Sequence, residues 1–541
     1  MEHYYLLTMI IFAVLFAILF MLYFRKPKNE INKDEENKTL TDTIKNKDTV
    51  ISKLQKQISE LNSEREELQK AYDNIKNILE DSKITDNPDV SNEIQPEEMQ
   101  LDEEQNAVYK LMCSDNNLFV SGKAGTGKSF LLRYFRTHTT KIALYTAPTG
   151  IAAITINGST LHSVFGFDNL LYGKRNYPEL SENQTALFKK IDSLVIDEIS
   201  MVSSGLFERL DFILKIARNN EKPFGGVQVI VFGDLFQLPP VIKSKVIATA
   251  LTDRFGGVYF FNSFAYKNGN FTFCELTIPH RQEADLKFLT MLDNIRIGNV
   301  STEIVEQLNK RCYSYQGIED FQEFCFSKRI VQLVSTNNQA EFITNQALKK
   351  ITKEKMYTYK AINIEIDESV YDNVEKFYKD VSAPEKLSLK VGALVMMTKN
   401  DTDNKRWVNG TMGVVSHLTE NSVSVAINEV IFQLTQEKFE VTKAEYDEQT
   451  GKINYRSVGS MFQFPLIPAY AITIHKAQGQ TYSRLACDVS KCFASGQTYV
   501  ALSRCKTLDE LYLANPLKSG AIKTDNNVIN FYNSLIKHDF F

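Results

Sequence analysis

One short stretch of the sequence carries the residue types that bind phosphate. The apolar run of residues 118–120 is followed by GKAGTGKS at residues 122–129 and then by a helical pattern. This order fits the strand, G-x-x-x-x-G-K-[ST], helix arrangement of a phosphate-binding loop. Its glycines let backbone N–H groups surround phosphate oxygens, Lys128 supplies charge for the β- and γ-phosphates, and Ser129 can ligate Mg²⁺. The stretch therefore predicts binding of a nucleoside triphosphate.

Two further strand ends supply carboxylates and an amide. The apolar run of residues 194–196 ends in Asp197 and Glu198, and the run VQVIVFGD, residues 227–234, leads to Gln237. Because the carboxyl ends of parallel strands meet at one edge of a sheet, we expect these groups beside the phosphate loop. Asp197 is then suited to hold Mg²⁺, Glu198 to orient or deprotonate the attacking water, and Gln237 to sense the γ-phosphate. The pattern predicts hydrolysis rather than binding alone.

Composition limits the class of protein. The 541 residues are 43% apolar and 24% charged, with 35 Phe and 24 Tyr, which favours several folded domains and excludes a mainly disordered or collagen-like chain. The 62 Lys and Arg against 66 Asp and Glu give a net charge of −4, so a polyanion would have to meet a local basic patch. The seven scattered cysteines and the histidine spacing indicate a reducing compartment and no structural zinc.

The first hundred residues differ from the rest. No charge interrupts the run from Tyr4 to Phe24, and about 20 apolar residues in a helix span the hydrocarbon core of a bilayer. We therefore predict a transmembrane anchor at residues 1–25, followed by a polar juxtamembrane segment at residues 26–43. The basic residues directly after the anchor favour a single-pass protein with everything downstream in the cytoplasm.

A heptad pattern and a linker follow the juxtamembrane segment. Apolar residues recur at two heptad positions in residues 44–82, with Arg65 as an interruption. Ile at one position and Leu at the other favours a parallel two-stranded coiled coil, which predicts a homodimer, and a single solvated helix is the alternative. The acidic, proline-marked residues 83–100 are predicted to form a linker.

From Leu101 to about Leu513 the chain resembles the Pif/RecD-like DNA helicases of superfamily 1B. The family's motifs stand in order as LDEEQNAVY, GKAGTGKS, APTGIAA, NGSTLHSVFGF, VIDEISM, GDLFQLPPV, LTIPHRQ, AYAITIHKAQGQT and SGQTYVALSRC. The resemblance implies an α/β fold with two RecA-like domains, ATP and Mg²⁺ as cofactors, and 5′-to-3′ movement on single-stranded DNA with unwinding of duplex DNA.

The resemblance also assigns residues. It implies that Gln105 reads the adenine and that Arg281 and Arg504 add positive charge at the γ-phosphate. The catalytic residues are then Lys128, Asp197, Glu198, Gln237, Arg281 and Arg504. The nucleotide-binding residues are Gln105, Gly122, Lys123, Ala124, Gly125, Thr126, Gly127, Lys128 and Ser129, with Ser129 and Asp197 on the metal.

The implied nucleic-acid contacts are of two kinds. Phe165 and Phe236 are expected to stack on bases, since such stacking contributes about 1–3 kcal/mol per base without sequence preference, whereas Trp407 is expected in the core. The two histidines of the set fit neutral hydrogen-bond donors to the strand, and ordinary satisfied polar residues are the alternative. The full set is Thr149, His162, Phe165, Phe236, Thr473 and His475.

The order of the motifs predicts the domain organisation. A first RecA-like domain covers residues 101–285 and carries, at about 166–188, a wedge insertion. A second covers residues 286–541 and is interrupted at about 402–465 by a run of alternating apolar and polar residues, predicted to be a small antiparallel SH3-like barrel. The candidates for the tip of the wedge are Tyr172, Tyr177 and Pro178.

Together these features predict a membrane-tethered, ATP-dependent 5′-to-3′ DNA helicase acting in DNA repair, recombination or replication. An RNA-directed superfamily 1 helicase is one alternative, because backbone contacts distinguish RNA from DNA mainly through the 2′-hydroxyl. A membrane-bound coiled-coil scaffold whose ATPase serves as a nucleotide switch is the other. Stimulation of ATP hydrolysis by single-stranded DNA would separate a helicase from such a scaffold.

Overall fold

The structure, a computed structural model, describes most of the chain from residue 100 onward. The described residues are 100–166, 180–242, 244–280, 285–317, 320–401 and 404–536. The predicted anchor, juxtamembrane segment, coiled coil and all but the last residue of the linker lie outside these ranges, as do Arg281 and the three wedge-tip candidates. Within the described ranges, none of the helices combines the length and apolar character needed to cross a bilayer.

Residues 100–280 form a first domain around a six-stranded sheet. Its order is β3-β2-β4-β5-β1-β6, and every neighbouring pair is parallel. The central strands read LFVSG, SLVI and QVIVF, apolar runs without alternation, because helices cover both faces of the sheet. The strands are β1 Leu118–Gly122, β2 Ala143–Ala147, β3 Ser159–Thr160, β4 Ser193–Ile196, β5 Gln228–Phe232 and β6 Thr272–Leu276.

Helices pack on both faces of this sheet. Successive side chains of β1 point to opposite cores, since Phe119 joins one buried cluster while Leu118 and Val120 join the other. The first domain is therefore a three-layer α/β/α unit with its polar strand ends at one edge. The helices are α1 Glu103–Met112, α2 Lys128–His138, α3 Gly150–Thr155, α4 Leu161–Phe165, α5 Glu182–Lys190, α6 Ser204–Arg218, α7 Lys245–Phe255 and α8 Phe264–Asn268.

A second domain begins after the first sheet. Its opening helix packs Phe288, Leu292 and Ile295 into a buried cluster that also contains Leu333 and Val500, so this helix belongs to the second core. The elements that open the domain are α9 Leu286–Arg296, α10 Thr302–Asn309, α11 Phe321–Ser327, β7 Gln332–Val334 and α12 Asn337–Lys350.

Antiparallel strands then interrupt the second domain. They form sheets of order β14-β13-β12-β11-β17, β15-β16-β9 and β10-β8. The largest sheet extends beyond the limits of 402–465 because β11, before them, pairs with both β12 and β17. The elements are β8 Tyr357–Lys360, β9 Ile362–Ile366, α13 Val374–Asp380, β10 Lys386–Leu389, β11 Leu394–Met397, β12 Met412–Leu418, β13 Val423–Ile427, β14 Val430–Leu434, β15 Glu437–Asp447, β16 Lys452–Gln463 and β17 Leu466–Pro468.

Two features of this antiparallel region bear on the predictions. Trp407 is 3% exposed and lies in the core of the largest sheet, which confirms its assignment as a core residue. The long β15–β16 hairpin reaches the first domain, where Ala444 and Tyr455 pack against the cluster that contains Phe119. The inserted strands therefore contact the first domain as well as the second.

The chain finally completes the second parallel sheet, whose order is β18-β7-β19-β20. The last helix, α15, then returns to the first domain, where Phe531 stacks on Phe261 with ring centroids 4.0 Å apart. Two parallel sheets covered by helices confirm the α/β fold class. The closing elements are β18 Ala471–Thr473, β19 Leu485–Cys487, α14 Gln497–Leu502, β20 Leu511–Leu513 and α15 Asn526–Ile536.

Candidate active site

The phosphate-binding loop joins β1 to α2 and depends on glycine for its path. Gly127, the residue before α2, has φ of 79°, a left-handed conformation that glycine adopts without a steric cost. A side chain at this position would also collide with the amide of Gln105. The loop therefore needs glycine both for its backbone turn and for its close approach to α1.

Gln105 is held beside the loop by the start of α1. Its backbone N–H donates to Asp102 Oδ1 at 2.8 Å, and Asp102 N–H donates back to Gln105 Oε1 at 3.3 Å, a capping box. The Gln105 side-chain nitrogen lies 3.4 Å from His280 Nε2. His280 Nε2 is also 2.9 Å from Asp102 Oδ2, so His280, which the sequence did not assign to the site, joins the group around Gln105.

Lys128 lies at the centre of a cluster of charges. Its ammonium donates to the backbone carbonyl oxygens of Gly122 at 2.5 Å and of Lys123 at 2.8 Å. Burial lowers the pKa of Lys128, and the neighbouring carboxylates of Asp234 and Glu198 oppose that shift. The neighbouring carboxylates therefore help to keep Lys128 charged, as phosphate binding requires.

Asp197 and Glu198 directly follow β4. The Glu198 N–H donates to Asp197 Oδ1 at 2.8 Å, and Glu198 has a left-handed φ of 51°, which turns the chain sharply after the strand. Burial raises the pKa of Asp197. Burial and the adjacent Asp197 raise the pKa of Glu198 to about 7, which suits a group that must take up and release a proton near neutral pH.

The donor set fits Mg²⁺. Asp197 offers a carboxylate and Ser129, at the start of α2, offers an exposed hydroxyl. Hard oxygen ligands of this kind are those that Mg²⁺ takes from proteins, with phosphate and water oxygens completing its shell. The charge of a cation would also stabilise the carboxylate of Asp197 and so oppose the rise in its pKa that burial causes. These two residues are the ones that would hold the metal.

Gln237 is linked to Glu198 by a residue of the second domain. The side-chain nitrogen of Gln478 donates to Glu198 Oε2 at 2.8 Å and to Gln237 Oε1 at 3.2 Å. Gln478 lies in the segment AYAITIHKAQGQT that follows β17, and the sequence did not assign it a role. The sequence signal for a role of Gln478 was a polar amide soon after a strand end. Its contacts with Glu198 and Gln237, 280 and 241 positions away, cannot be predicted from spacing.

Arg504 reaches the same cluster from the end of α14. It is 3% exposed, and its guanidinium donates to Val500 O at 3.0 Å, Gln480 O at 3.2 Å and Ser503 Oγ at 2.9 Å. Its positive charge opposes the rise in the pKa of Glu198. The structure therefore brings five of the predicted catalytic residues together, and the sixth, Arg281, is outside the described ranges. The five are Lys128, Asp197, Glu198, Gln237 and Arg504.

The two domains approach closely at this cluster. Gly496, just before α14, has φ of 73°, and a side chain there would collide with the backbone carbonyl oxygens of Phe236 and Gln237. Lys123 of the loop faces Asp293 and Tyr499 of the second domain across a cleft that all three line. A nucleotide on the loop would therefore lie at the junction of the two domains.

The polar candidates for nucleic-acid contact lie at comparable places in the two domains. Thr149 follows β2 and caps α3, where its Oγ1 accepts from Ala152 N–H at 3.3 Å. Thr473 ends β18 and is buried, and its Oγ1 accepts from Lys476 N–H at 3.4 Å. His162 lies on α4 and His475 is half-buried after β18; desolvation lowers the pKa of both imidazoles, which favours their neutral form.

The structure corrects the role expected of two aromatic residues. Phe165 is fully buried and stacks on Phe188 with ring centroids 4.8 Å apart. Phe236 is 3% exposed and lies between the guanidinium of Arg296, 4.5 Å from its ring, and the ring of Tyr532 at 5.1 Å. A base needs an exposed ring face for stacking. Because core packing covers both rings, we withdraw the stacking role for Phe165 and Phe236.

Comparison with known proteins places these features in one family. The family model described as PIF1-like helicase matches residues 100–306. The ATP-dependent DNA helicase Pif1 of Bdellovibrio bacteriovorus is 32% identical over 446 residues, covering 80% of this chain and 92% of the relative. Crystal structures of Bacteroides Pif1 in complex with ADP-AlF4 and bound to single-stranded DNA are 32% and 34% identical, with TM-scores of 0.70 and 0.58. The matches cover 81% and 80% of this chain and 97% of each solved chain.

Proposed function

This chain belongs to the PIF1-like helicase family, and from that premise we propose that it is an ATP-dependent DNA helicase. The observation that carries the proposal is the convergence of Lys128, Asp197, Glu198 and Gln237 from the first domain with Arg504 from the second. A site divided between two α/β domains can convert nucleotide binding and release into relative domain movement. Movement of that kind is what a motor on a nucleic-acid strand requires.

The nucleotide is bound by the loop and its neighbours. Backbone N–H groups of residues 122–129 and the ammonium of Lys128 bind the β- and γ-phosphates of ATP, and Gln105 lies where it can contact the base. Ser129 and Asp197 would hold Mg²⁺, which when bound would supply positive charge that neutralises part of the phosphate charge. The Lys128 ammonium donates to the carbonyl oxygens of Gly122 and Lys123. When it donates to the phosphates of ATP instead, these two oxygens are released.

Hydrolysis then depends on residues from both domains. The carboxylate of Glu198 accepts a proton from the attacking water, and the bond from Gln478 to its Oε2 fixes the carboxylate in place. Gln237 is held by the same amide nitrogen, so the proposed γ-phosphate sensor and the base are aligned together. Arg504 supplies positive charge that stabilises the negative charge of the transition state during transfer of the γ-phosphoryl group. Domain closure therefore completes the site.

The strand is proposed to cross the two domains at their strand ends. Thr149 follows β2 and Thr473 ends β18, and His162 and His475 lie on the segments that come next. Contacts of this kind bind the sugar-phosphate backbone rather than the bases. We infer 5′-to-3′ movement from the family resemblance, and binding that weakens as salt rises, with a log–log slope of about −0.7 per phosphate neutralised.

The amino-terminal residues are proposed to set location rather than chemistry. The uncharged run from Tyr4 to Phe24 supports a single-pass anchor with the helicase domain in the cytoplasm, and the heptads of residues 44–82 support a homodimer. Full-length protein should stay with membranes after washing with high salt and alkaline buffer. Recovery of the full-length chain in the washed soluble fraction would reject the anchor.

The experiment that tests the function is ATP hydrolysis by the full-length, detergent-solubilised protein with oligo-dT, with oligo-rU and without nucleic acid. We expect a large increase with oligo-dT, because strand binding promotes closure of the cleft. A larger increase with oligo-rU would instead identify an RNA-directed helicase. Hydrolysis that neither polymer stimulates would reject a helicase and favour a nucleotide switch.

A further inference from the structure

A buried carboxylate of the first domain receives two donors from the second. Asp234 follows β5 and is fully buried. Its Oδ1 accepts from Arg296 Nε at 3.0 Å, and its Oδ2 accepts from the Tyr499 hydroxyl at 3.3 Å. Arg296 ends α9 and Tyr499 lies in α14, so two separate elements of the second domain meet at one acidic side chain of the first.

The guanidinium of Arg296 occupies a closed slot. It is 2% exposed and lies 4.5 Å from the centre of the Phe236 ring and 5.4 Å from that of Tyr532. Its Nη2 is 3.7 Å from Glu275 Oε1. The Tyr532 hydroxyl is 2.7 Å from each oxygen of the Glu275 carboxylate. Two aromatic rings and two carboxylates therefore surround one planar cation.

The last helix of the chain holds one wall of this slot against the first domain. Next to Tyr532 in α15, Phe531 stacks on Phe261 at 4.0 Å. At the approach to the helix, Asp525 accepts from the Tyr259 hydroxyl at 2.8 Å. The slot consequently belongs to the first domain together with α15, while the arginine that fills it comes from the second domain.

The same carboxylate shapes the turn that carries Gln237. Asp234 Oδ1 accepts from Phe236 N–H at 3.1 Å, and the Asp234 carbonyl accepts from Gln237 N–H at 3.0 Å. The Gln237 side-chain nitrogen lies 3.5 Å from Asp234 Oδ2. Any displacement of the carboxylate would therefore shift the backbone and the side chain of the proposed γ-phosphate sensor.

We propose that Arg296 is a positioning residue for ATP hydrolysis. Its buried ion pair with Asp234 forms a fixed pivot between the domains, and the same pair keeps Gln237 in its position for hydrolysis. Separating the pair would leave a charge buried without a partner, which is strongly unfavourable, so the domains turn about this point rather than part at it. The proposal rests on the proposed function, because it assumes that the cleft closes on ATP. In this proposal, α15 holds one wall of the slot that receives Arg296.

A second ion pair on the same helix shows the contrast. Asp293, three residues before Arg296, pairs with Lys123 of the phosphate loop at 2.7 Å, and these side chains are 44% and 40% exposed. Solvent can replace that contact at little cost. Opening of the cleft can therefore break the Lys123–Asp293 pair while the Arg296–Asp234 pair remains formed.

The test is the Arg296→Lys variant of the full-length protein. Lysine keeps the charge but loses the planar guanidinium that reaches Asp234 through Nε and stacks between two rings. We expect kcat for ATP to fall about 10-fold to 100-fold, the effect of weakening one charged hydrogen bond, with KM close to the parent value when both proteins are assayed well below their melting temperatures. The matched control is Arg484→Lys, because Arg484 forms a surface pair with Glu510 at 2.9 Å away from the cleft, and its kinetics should not change.

A second variant removes no charge. Tyr499→Phe deletes only the hydroxyl, which contacts Asp234 and also the backbone of Ala124 in the phosphate loop, so the chain should fold, and we expect a several-fold loss of kcat that exceeds any change in KM. Unchanged kcat in Arg296→Lys would overturn the proposal. A loss of kcat that comes with a comparable loss of nucleotide affinity and with a lower melting temperature would also overturn it. If Arg296→Lys does not fold, Tyr499→Phe decides in the same way. These results hold for basal hydrolysis too, so a parent enzyme that DNA fails to stimulate would reject the helicase function without rejecting the pivot.

Discussion

The two sides of the cleft hold their polar groups in different ways. On the side of the first domain, Lys128, Asp197 and Glu198 are half-buried groups whose pKa values are shifted by burial, and they directly follow a loop or a strand end. On the side of the second domain, Arg296 and Arg504 are 2% and 3% exposed and are fixed by several hydrogen bonds or ring contacts. The first side faces the phosphates and the metal directly, whereas the second presents preset groups.

This difference suggests a division of work. Half-buried charged groups at the edge of a cleft are suited to binding phosphates and metal, because the ligand supplies the opposite charge that offsets their desolvation. Buried and fixed donors are suited to recognising the transition state, since they need no reorganisation when charge develops. Substitutions on the first side should therefore affect nucleotide binding, and those on the second side should affect turnover.

The largest effect is expected from Lys128→Ala. Loss of the ammonium removes the main charge for the β- and γ-phosphates, so nucleotide binding and hydrolysis should both fall below detection. Equilibrium titration with a fluorescent ATP analogue measures the first and phosphate release the second. The control is Lys110→Ala, an exposed lysine of α1, which should behave like the parent. Normal nucleotide affinity in Lys128→Ala would contradict the role given to the first side.

Arg504→Ala should give the opposite pattern. The variant should bind nucleotide nearly as well as the parent while turnover falls by about 10³–10⁵-fold, the range associated with an arginine finger. Single-turnover hydrolysis at saturating ATP measures the loss, and Arg484→Ala on the second-domain surface is the control. Turnover within a few-fold of the parent would show that the second side does not act on the transition state.

Gln478→Ala tests the connection between the two sides. It removes the amide that donates to Glu198 and Gln237, and a hydrogen bond to a charged group contributes about 1.5–3 kcal/mol. We therefore expect kcat to fall about 10-fold to 100-fold, less than for Arg504→Ala. Gln433→Ala, at an exposed position of β14, is the control, and equal kcat in both variants would remove Gln478 from the site.

The smallest effect is expected from Asp293→Asn. This change weakens the half-exposed pair with Lys123, and surface pairs contribute about 0–1 kcal/mol. Steady-state kinetics should show kcat and KM within about threefold of the parent. A loss of kcat as large as that expected for Arg296→Lys would contradict this contrast. The exposed Lys123–Asp293 pair would then matter as much for turnover as the buried Arg296–Asp234 pair.

The sequence was sufficient where local spacing determines chemistry. The phosphate loop, the carboxylates after β4 and the parallel sheets follow from short patterns, because each depends on residues close together in the chain. Arg504 was placed by the resemblance of its segment to a family motif rather than by any property of an isolated arginine. The structure brings it to the cluster that contains Glu198.

The sequence was insufficient where distant residues meet. The contact of Gln478 with Glu198 and that of Tyr499 with Asp234 join residues 280 and 265 positions apart, and no periodicity records such pairs. The stacking role expected of Phe165 and Phe236 failed for a related reason. An aromatic residue has the same type whether it faces a base or the core, and only the packing around it determines which.

Strand separation by the full-length protein is the direct test of an ATP-driven DNA helicase. The substrate is a labelled duplex with a 5′ single-stranded tail, compared with the same duplex carrying a 3′ tail, each with ATP and Mg²⁺. We predict unwinding of the 5′-tailed duplex alone, and none by Lys128→Ala or Arg504→Ala. ATP hydrolysis without separation of either duplex would contradict the account, and preferential unwinding of the 3′-tailed duplex would contradict its direction.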